Sequence, residues 1–156
     1  VLDYRRILDV PGYDRLALHE AARFIGTMNY GYAGTKELNE ALVSRFMVID
    51  MPEIDGDTLM KILLDLFPDA KQAGLSQLCG FFTDLQLKAS HNEISTKALD
   101  LRGLIGAIKT IRAGLDPEKA LRMGMVNKCF DAFEREIIED IVETRIPEGW
   151  SASEVF

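Results

Sequence analysis

The sequence of 156 residues is sparing with side chains that do chemistry unaided. It holds two histidines, His19 and His91, and two cysteines, Cys79 and Cys129. None of the four stands at metal-ligand or Cys-x-x-Cys spacing, which excludes a zinc site or a dithiol centre built from them. Both cysteines lie in apolar, helix-like surroundings and read as buried thiols of a reducing compartment. No apolar run approaches the roughly 20 residues that span a bilayer. Asp3, Arg5 and Arg6 interrupt the apolar stretch a signal peptide would need, so a cytoplasmic protein with no membrane association is expected. The cation deficit, a net charge of −7, argues against general nucleic-acid binding, which works by displacing counterions from phosphates. Arg5, Arg6, Arg15 and Arg23 make only the first segment locally basic. A phosphate-binding Gly-x-x-x-x-Gly-Lys-Ser/Thr loop is missing too. Gly26 and Gly31 have its glycine spacing, but Tyr32 stands where the lysine belongs, and Gly34-Thr35-Lys36 has the letters in the wrong order. There is no internal repeat and no low-complexity segment.

What is present is globular: 47% hydrophobic and 28% charged residues suffice for a packed core without disulfides or metal. Two rhythms divide the chain, and they set the expected domains at 1–52 and 53–156. In the first, Tyr4–Val10 and Arg15–His19 flank a Pro11-Gly12 turn and read as a β-hairpin. Arg23–Met28 reads as a short strand ending at Asn29, residues 36–44 as a short helix, and Phe46–Met51 as a second apolar strand stopped by Pro52. Apolar strands alternating with a helix suggest a parallel sheet. After Pro52 the period is helical throughout. Leu59, Ile62, Leu63 and Leu66 form one stripe; Leu75, Leu78, Phe82 and Leu85 a second; Leu101, Leu104, Ile105, Ile108 and Ile111 a third, closed by Gly114. Asp116-Pro117-Glu118 is a helix start, and Phe133, Ile137 and Ile141 line the last helix. Glu134, Glu136, Glu139, Asp140 and Glu143 read as its solvated face, and the polar tail beyond Pro147, with Trp150, as loosely docked.

Three short stretches stand in a suggestive order. Gly26-Thr27-Met28-Asn29 places a neutral amide at a strand tip, where it can donate to phosphate and accept from water. Glu37–Phe46 reads as a helix ending in Arg45, sixteen residues after Asn29, followed by Phe46. Taken alone, Arg45 reads as a cation favoured by the helix dipole. Leu99-Asp100-Leu101-Arg102-Gly103 opens a third helix, with Ser95-Thr96-Lys97 just ahead, and Gly114-Leu115-Asp116-Pro117 follows twelve residues after Arg102. In this order the stretches resemble sensor 1, the arginine finger and sensor 2 of AAA+ ATPases, in particular the MoxR/NorQ/CbbQ-like group.

The resemblance implies a fold of mixed class, α/β plus all-α. Residues 1–52 would be the C-terminal part of an AAA+ α/β core, a partial parallel sheet with a hairpin, and residues 53–156 the helical lid. It implies catalytic roles for Asn29, which would orient the attacking water, and for Arg45, which would reach the neighbouring subunit's nucleotide in trans. Arg102 is the preferred nucleotide-binding cation of the lid, with Lys97 as its rival. It also implies ATP and Mg2+ in the full-length protein, a ring of subunits such as a hexamer, and a client protein that is remodelled or matured, either a metalloenzyme or a protein with a von Willebrand factor A domain. Arg5 and Arg6 are candidates for a subunit contact. Without the phosphate loop, and without an Asp-Glu after an apolar strand, the segment by itself is expected to be inactive. Two other readings stand beside this one: a non-catalytic helical adaptor, and a DNA-remodelling AAA+ relative, which the acidic composition disfavours.

Overall fold

A computed structural model describes residues 4–28 and 39–156. The chain divides into two compact units, Val1–Pro52 and Glu53–Phe156.

In the first unit Val10-Pro11-Gly12-Tyr13 forms a turn. Proline fixes φ at the second position, Gly12 takes φ +86° at the third, and the Tyr13 amide donates to the Val10 carbonyl at 3.1 Å. The turn closes a hairpin of β1 (Ile7–Leu8) and β2 (Leu16–Ala17), antiparallel, with Ile7 opposite Ala17 and Leu8 opposite Leu16. Arg6, at φ +51°, donates through Nη2 to the carbonyls of His19 and Ala22, each at 3.0 Å. This side chain, a candidate for a subunit contact, is engaged inside its own hairpin.

The expected parallel sheet is not seen among the described residues. Helix accounts for 54% of the structure, and the hairpin is the only sheet among the described residues. The stretches 23–28 and 46–51 carry the apolar composition of strands but pair with nothing described; Ile25 is 93% exposed, Met47 94% and Ile49 79%. The physical reason is that a strand is a pairwise object. A hairpin partner arrives through a short turn at little entropic cost, whereas a parallel partner needs a long crossover and a neighbour already in place. Of the helix expected over 36–44, the described part is α1 (Glu40–Val43), capped by the Asn39 side chain on the Ala41 amide.

The second unit is a helical bundle. Asp55 caps α2 (Gly56–Leu66), accepting from the Thr58 amide at 2.7 Å, and that hydrogen bond holds its carboxyl below the usual range. The long α3 (Gln72–Ser90) packs on α2, on α4 (Leu101–Arg112) and on α6 (Ala132–Arg145), while α5 (Pro117–Gly124) packs on α4 and α6. Leu59, Leu63, Leu75, Leu78, Phe82, Leu85, Leu104, Ile108 and Ile111 are all in the core. Gly114, at φ +98°, ends α4: its amide donates to the Ile111 carbonyl and that of Leu115 to Thr110, the paired bonds of a left-handed helix stop. Two residues later Asp116 caps α5 through the Lys119 amide, with Pro117 in the first turn. Cys79 is buried and Cys129 half-buried, and burial pushes both thiols up.

Several features depart from the pattern expected of the sequence. Leu66, on the expected α2 stripe, is exposed, and Phe67 is in the core in its place. In α6 the core side is Ile138, Ile141 and Val142, and Phe133 faces out. Of its acids, Glu136, Asp140 and Glu143 are exposed as expected, Glu143 reaching Arg122 of α5 at 3.2 Å, while Glu134 and Glu139 are half-buried, Glu139 paired with Arg122 at 3.1 Å and Glu134 engaged as described below. The tail is seated rather than loose. Trp150 and Val155 are buried, the Lys71 amide donates to the Val155 carbonyl at 2.7 Å, and the Lys71 ammonium to the carbonyls of Ser153 and Phe156. The Phe156 ring meets Phe67 edge-on at 6.1 Å and lies under the Arg112 guanidinium. Two apolar anchors outweigh the polar residues between them.

Candidate functional site

The candidate site is the N-terminal end of α4. Asp100 is its cap, with one carboxylate oxygen accepting the Gly103 amide at 2.9 Å and the other the Lys128 ammonium at 2.7 Å. Burial works against ionising Asp100, but Lys128 and the helix amides outweigh it, and its carboxyl sits below the ordinary range. Gly103 is where α4 meets α5: a Cβ there would lie 2.5 Å from the Gly124 carbonyl oxygen. The contact fixes where the first turn of α4 points.

Arg102 occupies that first turn. It is exposed, and among the described residues it makes no ion pair. Lys97 lies one element earlier, in the 3-10 turn Thr96–Ala98, likewise exposed and without an ion pair among the described residues. The turn is tethered at its start by Glu134 of α6, whose carboxylate accepts the Ser95 amide at 2.7 Å and the Ser95 hydroxyl at 3.2 Å. The sequence-derived rivals are thus successive cations at one end of the bundle. The acid between them, Asp100, is occupied by Lys128 and Gly103. Such an arrangement leaves both cations available to an anionic group, and the helix N-terminus adds its own positive end.

The other two candidates are not part of the second unit. Arg45 belongs to the first unit, just beyond α1; it is exposed and donates through Nη1 to the Ala41 carbonyl, with no carboxylate partner among the described residues. Asn29 lies outside the described residues. No group of His, Cys, Asp and Glu among the described residues is placed to hold a metal ion, and no helix there is long and apolar enough to cross a membrane. Three residues that build the site have no site role in the sequence pattern: Asp100 as cap, its partner Lys128, and Glu134, expected on a solvated face but bound to Ser95. Asp100 carried a signal, an Asp three residues ahead of a glycine at a helix start. The two tethers are long-range and carried none.

No family model matches the chain, and no solved structure matches it. It is similar to the uncharacterized protein YojN of Bacillus subtilis, 32% identical over 146 residues that cover 92% of this chain and 47% of that protein. An uncharacterized protein of Staphylococcus aureus is 34% identical over 147 residues, and one of Staphylococcus haemolyticus 33% over 145, each match covering 92% of this chain and 54% of the relative. The chain therefore spans about half the length of the curated relatives it matches.

Proposed function

We propose that the parent protein is an ATPase of the AAA+ kind, similar to the MoxR/NorQ/CbbQ group, and that residues 53–156 form its nucleotide-responsive helical lid. The observation that carries this reading is Arg102: an exposed, uncompensated guanidinium in the first turn of a helix whose capping acid is already occupied. A planar guanidinium so placed suits the β- and γ-phosphates of a nucleotide held by the rest of the protein, with Mg2+ as the usual counter-charge. Lys97, on the turn that precedes α4, is the second candidate cation. The relatives are about twice the matched length, which leaves ample chain for a phosphate-binding half.

In this reading Arg45 serves the nucleotide of a neighbouring subunit. Its exposure and its lack of a carboxylate partner among the described residues suit such a role. Asn29 would place the attacking water. Subunits then assemble into a ring, and hydrolysis drives remodelling or maturation of a client in the cytoplasm, a metalloenzyme or a protein with a von Willebrand factor A domain. General nucleic-acid binding is not part of the reading, given the net charge of −7.

The test is ATP turnover and ATP binding by the full-length protein and its Arg102→Ala, Lys97→Ala and Arg45→Ala variants. Arg45→Ala should lose hydrolysis by several powers of ten with ATP affinity within a few-fold, as for an arginine finger. Arg102→Ala should lower both turnover and affinity more than Lys97→Ala does. A full-length protein that neither binds nor hydrolyses ATP would overturn the reading and leave the helical adaptor in its place.

A further inference from the structure

We infer that the outer side of α6, headed by Phe130 and Phe133, is a docking face for a basic segment of a partner protein that carries an apolar anchor; the inference does not depend on the ATPase reading. A helix on the surface of a bundle ordinarily keeps its apolar residues to one side. α6 has them on two. Ile138, Ile141 and Val142 fill the core, yet Phe133 is 67% exposed, and Phe130, just ahead of the helix, is fully exposed. On the 3.6-residue period Phe133, Glu136, Ile137 and Asp140 share one stripe turned away from that core. Ile137 is half-buried at its edge.

The charges on α6 separate into two sets. Glu139 and Glu143 share the single cation Arg122 with Glu118, and Glu134 is bound to Ser95. Glu136 and Asp140, on the stripe with the phenylalanine, have no ion pair among the described residues. They stand one turn apart, a like-charge spacing that disfavours the isolated helix. The bare Phe133 ring on one stripe with two uncompensated carboxylates, with Phe130 exposed just ahead of the helix, is complemented by a segment with Lys or Arg one turn apart and an aliphatic or aromatic side chain ahead of them. Such a helix-on-helix fit uses the aromatic rings as anchors and the charges for orientation. The same acids repel an anionic membrane surface or a nucleic acid, so the occupant is a protein segment.

The probe is a roughly 18-residue amphipathic Leu/Lys peptide, five turns of helix, titrated into the full chain and followed by amide NMR shifts, with a Leu/Glu peptide of the same pattern as its counterpart. The Lys peptide should shift resonances centred on 130–140, and the Glu peptide should not bind. Phe133→Ser, and separately the double variant Glu136→Lys with Asp140→Lys, should each weaken binding by about tenfold or more, as loss of an interface anchor does. Asp65→Lys with Glu53→Lys alters net charge equally at exposed positions off the stripe and should leave affinity within twofold. Equal losses in the two double variants would reduce the effect to overall acidity and overturn the proposal. So would shifts centred elsewhere, binding indifferent to Phe133→Ser, or no binding of the Lys peptide at all.

Discussion

Gly103 and Gly124 stand backbone to backbone where α4 and α5 meet: a methyl group on Gly103 would lie 2.5 Å from the Gly124 carbonyl oxygen, and one on Gly124 would lie 2.9 Å from that of Gly103. Backbone cannot swing aside as a side-chain tip can. Gly103→Ala should therefore cost about 1–3 kcal/mol, the usual range for overpacking, despite the better helix propensity of alanine. Gly124→Ala should follow with a smaller loss. Gly106, in the same helix, has nothing within 4 Å of its would-be Cβ. Gly106→Ala should instead gain about 0.5–1 kcal/mol. Urea midpoints at unchanged slope check all three.

Asp100 gives a pH signature. Its folded carboxyl titrates below the ordinary value, so the stability it confers is complete above the unfolded pKa, near ~3.9, and is lost as pH falls through the folded one. Asp100→Asn keeps a capping oxygen but gives up the Lys128 pair. The gap between wild type and this variant should be largest at neutral pH and close as the solution is acidified below about 4. Asp100→Ala, which loses the cap as well, should cost about 1 kcal/mol more. Denaturation curves across pH read out both differences; a gap that widens in acid would be the wrong sign.

Glu134 ties α6 to the turn that carries Lys97. Glu134→Ala leaves the part-buried Ser95 amide without its acceptor and should cost about 1–3 kcal/mol. Hydrogen exchange at Ser95 should accelerate markedly in that variant. Glu134→Gln, which retains an acceptor, should restore most of the protection.

Trp150 is the only tryptophan, and it is buried, so it reports on the seated tail. A Cβ on Gly74 would lie 2.7 Å from Val155 Cα and 2.9 Å from the Glu154 carbonyl oxygen. Gly74→Ala should therefore displace the tail and shift tryptophan emission to the red. Phe156→Ala removes the contacts with Phe67 and Arg112 without creating a clash, and should destabilise with a smaller change in emission.

What could be read in advance was local. The Asp116-Pro117 start, the Gly114 stop and the stripes of α3 and α4 each depend on residues within a few positions of one another, and each takes its expected place. The phase of α6 was not legible, because Phe133, Ile137 and Ile141 make as good a helical row as Ile138, Ile141 and Val142. Only the facing helices choose between them. The seating of the tail is not legible either, because a polar composition says nothing of how well two anchors fit. Over 23–28 and 46–51 the apolar content is that of a strand, but no single run can specify its pairing. At the site, Arg102 and Lys97 could be named from the opening of α4, but the Lys128 and Glu134 tethers, 28 and 39 residues from their partners, could not.

Burial of the two thiols has a practical side. With Cys79 in the core, Cys129 half-covered and both held in the protonated form well above neutrality, neither is a ready nucleophile at pH 7. A cysteine placed on the open surface, at Lys97 or Asp140 for example, would react with a maleimide dye well ahead of them. Fluorescent reporters can thus be attached at either face without first stripping the chain of its native sulfur.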